Sequence, residues 1–247
     1  MLSIPLLRWL WGAALVLVVG HVVTLYLDLE HGVSRAYSLP RQFDLNGEGN
    51  VAAWFASFLL LSCALLTLAL ASHYRGMRAP LAHRWVGLSA IFGLMAIDET
   101  AQLHDMLTGP LRRGLEIDFG IFYFAWLLPA VGFLAVCAWY FAPVALSLPG
   151  AIYRRLILAF GVYLGGAIVV EMISGFAVES GRQSTPYLLV LTIEETCEIV
   201  GLLLVVGALF TMLRMVQPQT TIALSGGSVG IASGSDQPSE AKAQQLP

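Results

Sequence analysis

Residues 187–213 read YLLVLTIEETCEIVGLLLVVGALFTML. A bilayer core takes about 20 helical residues at ~1.5 Å rise each, and this run is long and apolar enough to cross one. It nevertheless carries Glu194, Glu195 and Glu198. The whole chain follows the same pattern: of 247 residues, 57% are hydrophobic and 12% charged, with a mean hydropathy of +0.77. A soluble domain has roughly 45–50% apolar and about 25% charged residues, so too little polar surface exists here to cover a water-soluble globule. Composition thus excludes a soluble enzyme, a secreted disulfide scaffold and a nucleic-acid binder; the net charge of −3 comes without a basic patch to meet phosphates.

Working outward from residue 187, five further segments have spanning length, giving approximately 6–27, 51–72, 85–107, 121–142, 156–177 and 187–213. Short polar connections separate them: LNGEGN, RGMRAP, TGPLRRG, SLPGA and ESGRQSTP. No alternating apolar–polar pattern of a closed barrel is present, so the expected fold is all-α, a polytopic bundle of six transmembrane helices in one domain, 1–216. The N-terminal apolar run is too long for a signal-peptide core and reads as an uncleaved first helix. Pro129 predicts a kink in the fourth helix, and Gly161 with Gly165 forms a GxxxG that predicts close packing of the fifth. From Gln217 the chain turns to Ser, Gly, Ala, Gln and Pro, and residues 217–247 read as a disordered cytoplasmic tail. Cys63, Cys137 and Cys197 lie in apolar runs without a CxxC pair, which argues for inert buried thiols rather than a disulfide or zinc framework.

Orientation follows the distribution of Lys and Arg. Arg8, Arg75, Arg78, Arg84, Arg154, Arg155, Arg214 and Lys242 fall on one side; Arg35, Arg41, Arg112, Arg113 and Arg182 fall on the other. Both termini are therefore expected in the cytoplasm. Arg112, Arg113, Arg154 and Arg155 read as interfacial anchors, and Trp54, Trp85, Trp126 and Tyr187 as members of an aromatic interface belt.

The informative residues are the acids inside the spans. In RWVGLSAIFGLMAIDETAQLHDML, residues 84–107, the apolar part from Trp85 to Ile97 reaches only ~20 Å, short of a ~30 Å core. The span must therefore take in Asp98, Glu99 and His104. The fifth helix runs from Leu156 to Val170 before it meets Glu171. Measured from the cytoplasmic edge, Asp98, Glu171 and Glu198 fall at roughly 20, 22 and 22 Å, and His21 near the same level. By helical phase, Asp98, Gln102 and Asp105 share one face with Glu99 beside it, and Glu194, Glu195 and Glu198 cover about a third of a turn. His104 points about 100° from Asp105, so it joins the same site only through a local distortion or a neighbouring helix.

The expected cluster is thus Asp98, Glu99, Asp105, Glu171, Glu194, Glu195 and Glu198, with no Lys or Arg in its layer. Carboxylates in lipid cost several kcal/mol each when charged and dry, about what relaxation leaves of the Born penalty. They must be protonated, hydrated from the outer face or neutralised by cations. A hard set of Glu99, Glu171, Glu194 and Glu198 with His104 and His21 suits a divalent metal (iron, manganese, zinc or calcium) better than copper(I). A lone His21 in an apolar helix is equally a hydrogen-bonded core residue.

The stretches FDLNGEGNVAAWFASFLLL (43–61), AIDETAQLHDML (96–107) and TIEETCEIVGLLL (192–204) carry a resemblance. Through them most of residues 30–213 resembles an uncharacterised family of six-helix bacterial membrane proteins. That resemblance implies an inner-membrane location and a shared architecture, and it carries no activity. No P-loop, Rossmann fingerprint, HExxH or GxSxG motif occurs. Three functions remain open: a cation or proton site serving transport or sensing, a metal-dependent membrane hydrolase or oxidase, and a non-catalytic assembly subunit. The expected partners are the lipid bilayer and either a second copy or a membrane subunit. Transport would favour an internal repeat, which is not evident; a dimetal bundle would use Glu-x-x-His spacing, which the third and sixth helices lack.

Overall fold

The computed structural model describes residues 3–34, 38–47, 49–117, 120–217, 221–225 and 228–232. Its helices are α1 (Ser3–His31), α2 (Ser38–Gln42), α3 (Val51–Gly76), α4 (Ala82–Ala101), α5 (Leu103–Leu115), α6 (Leu127–Leu146), α7 (Gly150–Leu164), α8 (Glu171–Ala177) and α9 (Thr185–Val216). A π-helical turn, Gly165–Val170, joins α7 to α8, so Gly150–Ser180 forms one continuous span. Five helices are long and apolar enough to cross a membrane, or up to six if α4 and α5 count as one bent span.

The bundle is built on a hairpin of α3 and α4. Ser57 Oγ donates to the Ala96 carbonyl at 2.7 Å, Ser89 Oγ donates to the Ala64 carbonyl at 2.8 Å, and the Tyr74 and Trp85 rings stack at 5.8 Å. These three ties run α4 antiparallel to α3 over its whole length. The hairpin and α9 share the main core, where Leu59, Cys63, Leu70 and Leu203 are fully buried. In lipid the gain from this burial is dispersion and fit, because an unpaired helix would already sit among hydrocarbon tails. Hydroxyls along the helices bond back one turn, as Thr67 does to Cys63 O and Thr192 to Leu188 O, leaving no exposed donor in the apolar layer at those positions.

The connection from α1 to α3 is stapled by side chains. Asn50 caps α3, accepting from Ala53 N at 2.9 Å, while its amide donates to the carbonyls of Asp44 and Arg41. Phe43 lies so close to Gly20 that a Cβ there would come within 2.3 Å of the ring. The FDLNGEGN stretch therefore closes one end of the bundle.

Several sequence expectations change in the fold. The third helix, expected continuous over 85–107, breaks at Gln102, whose φ is +53, and α5 leaves at 88°. The reason is local: Gln102 N–H bonds Asp98 O at 2.7 Å to end α4, and the Asp98 carboxylate then accepts the first free N–H groups of α5. Asp98, Gln102 and Asp105 consequently do not share one helical face. The fourth helix begins at Leu127 rather than near 121, so Pro129 falls in its first turn, where a missing N–H disturbs nothing, and no kink is required. Within the segment read as a disordered tail, Thr221–Ser225 and Ser228–Ala232 pair as antiparallel strands. The tail beyond Ala232 lies outside the described residues.

Close helix packing comes from glycines other than the expected GxxxG pair. A Cβ at Gly161 or Gly165 would meet nothing within 4 Å, whereas one at Gly201 would sit 2.6 Å from the Tyr163 backbone and one at Gly166 2.8 Å from Glu194 O. At the opposite end, Leu7 lies 3.5 Å from a Cβ built at Gly207, so the start of α1 and the end of α9 lie together. Replacing Gly201 with Ala is expected to cost about 1–3 kcal/mol through overpacking, while Gly161→Ala and Gly165→Ala stay near neutral; thermal unfolding of the three purified variants in one detergent checks this.

Candidate functional site

The break between α4 and α5 organises the first part of the site. Asp98 Oδ1 accepts His104 N–H at 2.9 Å, and His104 Nδ1–H donates to Asp98 Oδ2 at 2.8 Å. One carboxylate thus caps α5 and holds the imidazole. The distortion that an ideal helix lacked is this one, and it brings His104 to Asp98. Both side chains remain about one third exposed, at 32% and 34%. The His104 ring then lies 4.8 Å from the Trp126 ring, and Trp126 Nε1–H donates to Glu171 Oε1 at 2.8 Å. A chain of contacts therefore runs from Asp98 through His104 and Trp126 to Glu171, which is buried.

Trp126 is placed by the segment before α6. A 3-10 turn, Gly120–Phe122, packs on α8 so tightly that a Cβ at Gly175 would meet Gly120 O at 2.3 Å. Gly120 itself has φ +50, a conformation that costs a residue without a side chain little, and Glu179 accepts its N–H at 3.3 Å. Beside it, the Tyr123 ring faces the guanidinium groups of Arg112 and Arg182, 4.3 and 5.8 Å from its centroid. The hydrogen bond from Arg182, helped by the one from Arg112, holds the Tyr123 phenol below its ordinary value against the opposing effect of burial.

The second part comes from α9 meeting the π turn. Gly166 lets the backbone of Glu194 and the side chain of Glu198 approach α7, and π turns recur at functional positions because they offset the helical phase. Glu99, Glu194, Glu195 and Glu198 are half-buried. The strongest electrostatic neighbours of Glu195 are Glu198, Glu99, Glu194 and Glu171, and those of Glu198 are Glu99, Glu194 and Glu171. Acids from α4, α8 and α9 thus act on one another. Buried Tyr163 of α7 lies within the same field, from Glu198, Glu99 and Asp98.

Not every candidate joins this group. Asp105 lies in α5, and its side chain is outside the described residues. His21 is buried, but its Nδ1 accepts Leu45 N–H at 3.1 Å, so Nε2 carries the proton and faces Thr192 Oγ1 at 3.1 Å. It ties α1, the 43–50 connection and α9 together. Among the described residues, no group of three or more His, Cys, Asp or Glu side chains is arranged to hold a metal ion. Sequence reasoning missed Trp126, read as a belt residue, and Tyr163. The clue for Trp126 was its indole N–H, which needs an acceptor wherever the ring is buried.

Two outcomes are expected. Trp126→Phe leaves Glu171 without its indole donor and lowers stability by about 1–3 kcal/mol, read from thermal unfolding in detergent. The difference in tyrosinate absorbance between wild type and Tyr123→Phe shows a phenol ionising below the ordinary value of about 10, and Arg182→Gln moves that transition upward.

Comparison with curated proteins and with solved structures gives no match. Residues 9–213, covering α3 to α8 whole and nearly all of α1 and α9, match the model of a family described as a domain of unknown function (DUF8692), and the chain belongs to that family.

Proposed function

We propose that this chain is a six-crossing protein of a bacterial inner membrane, both termini cytoplasmic, in which Glu99, Glu171, Glu194, Glu195 and Glu198 form a proton-exchanging site that serves transport or sensing. The antiparallel course of α4 along α3 supports six crossings, because a helix tied to a spanning partner over its whole length spans as well. The start of α1 and the last turns of α9, which meet at Leu7 and Gly207, support an even number of crossings.

The observation that carries the site is the packing of α9 on the π turn at Gly166, where an added Cβ would meet Glu194 O and the Glu198 side chain, so that carboxylates of α9 lie beside the span that bears Glu171. Like charges gathered in a medium of low dielectric constant repel too strongly for all of them to stay ionised, so neutralisation is part of the site. Protons are favoured over a multivalent metal by the lack of a ligand triad among the described residues. Asp98 and His104, about one third exposed at the helix break, stand between solvent and the inner acids and provide the exchange point. The imidazole is the one side chain in the chain of contacts whose ordinary titration spans neutral pH.

Infrared spectra of the purified protein in nanodiscs test this directly. A protonated-carboxyl band is expected near neutral pH, reduced in Glu195→Gln and Glu198→Gln and changing with pH in wild type. Identical spectra for wild type and both variants across the pH range would refute proton binding. Stoichiometric metal that is retained on purification and lost in Glu99→Gln and Glu171→Gln would shift the assignment to a metal centre.

A further inference from the structure

Away from the carboxylates, α1 and α9 part around a cavity of about 580 Å³ at the end of the bundle where the chain enters and leaves it. Arg8 and Arg214 stand at it with Leu7, Trp11, Gly207 and Thr211. Positions 7, 8 and 11 share one face of α1, and 207, 211 and 214 share one face of α9, so the two helices present a single concave surface. Gly207 keeps the floor low, and the Thr211 hydroxyl is turned back onto Gly207 O at 2.7 Å. Among the described residues that line the cavity, none is acidic.

Its chemistry is that of an anion site with an apolar floor. Both arginines are exposed at the ends of spanning helices, the level at which lipid headgroups lie. A guanidinium fork pairs with two phosphate oxygens at once, and basic pockets between membrane helices take phosphate headgroups. Trp11 is 37% exposed, with an apolar ring suited to the glycerol region. Further along α1 the outward surface is apolar, with Leu15 and Val16 more than half exposed, offering a track for acyl chains. The volume falls within the range of about 300–1,000 Å³ typical of small-molecule sites.

We propose that this cavity binds the phosphate headgroup of an anionic phospholipid, with Arg8 and Arg214 holding the phosphate and Leu7 and Trp11 packing the glycerol and first acyl carbons. The assignment rests on the chain spanning a membrane and is independent of what the carboxylates bind.

Native mass spectrometry of the full-length protein in detergent, titrated with phosphatidylglycerol or phosphatidylcholine, tests it. Phosphatidylglycerol adducts are expected on wild type in preference to phosphatidylcholine. Arg8→Gln and Arg214→Gln should each weaken them roughly fivefold, in line with about 1 kcal/mol per basic residue at a membrane surface. Arg154→Gln with Arg155→Gln, exposed on α7 at the same end, should leave them unchanged. Equal adducts with both lipids, equal loss in the α7 double variant, or displacement by inorganic phosphate would overturn the proposal. Arg8 is exposed near a helix start, so Arg8→Gln with an unchanged lipid-free unfolding temperature separates lost binding from lost fold.

Discussion

The close approach of α9 to the α7–α8 span, through Gly166 and Gly201, is the contact on which the arrangement of acids depends. With no Cβ at these two positions, Gly166 of the π turn comes against Glu194 O of α9, and Gly201 of α9 comes against the Tyr163 backbone of α7. That approach places Glu171 within the electrostatic reach of Glu195 and Glu198. The π turn beside Gly166 belongs to the same device, since one extra residue in the turn rotates Glu171 relative to Tyr163. Dispersion between tightly fitted backbones stabilises such a crossing in lipid, where burial of apolar area contributes little between helices.

The carboxylates of this protein fall into two kinds of work. Asp98 is spent on structure, because its oxygens satisfy α5 and fix His104. Glu171 is buried and accepts from the Trp126 indole. Glu195 and Glu198 of α9 lie in the field of Glu99, Glu194 and Glu171. Arginines are present at the Tyr123 end and at the Arg8–Arg214 end, outside the acid layer. Charge is thus sorted by depth: acids within the bundle, guanidinium groups at its rims.

Much of the architecture was readable along the chain because hydropathy is a one-dimensional property. The apolar runs are interrupted by Gly, Pro and charged residues, and the observed spans begin or end within a few residues of those interruptions. The shortfall of apolar length before Asp98 was readable in the same way, and the fold meets it with a break instead of a buried charged turn. The break itself was hidden, since TAQLHDML has good helix formers and lacks Gly or Pro at Gln102. The GxxxG reading failed for a related reason: spacing identifies glycines on one face but cannot say which face meets a neighbour.

Residue identity and order alone pointed to a membrane as the solvent of this protein, to five or six apolar segments of spanning length, and to which residues could bear charge within them. Transfer energies belong to individual side chains and add along a helix, so no knowledge of neighbours was needed. Which acids meet, that His104 serves Asp98, that His21 is a tie between α1 and α9, and that Trp126 reaches Glu171 emerged from packing. All but the His104–Asp98 pair, six residues apart, join segments far apart in the chain, and each is set by helix rotation or by where a turn breaks. Those quantities change with ångström shifts in backbone approach, and the amino-acid order specifies them only jointly, through the whole packed bundle.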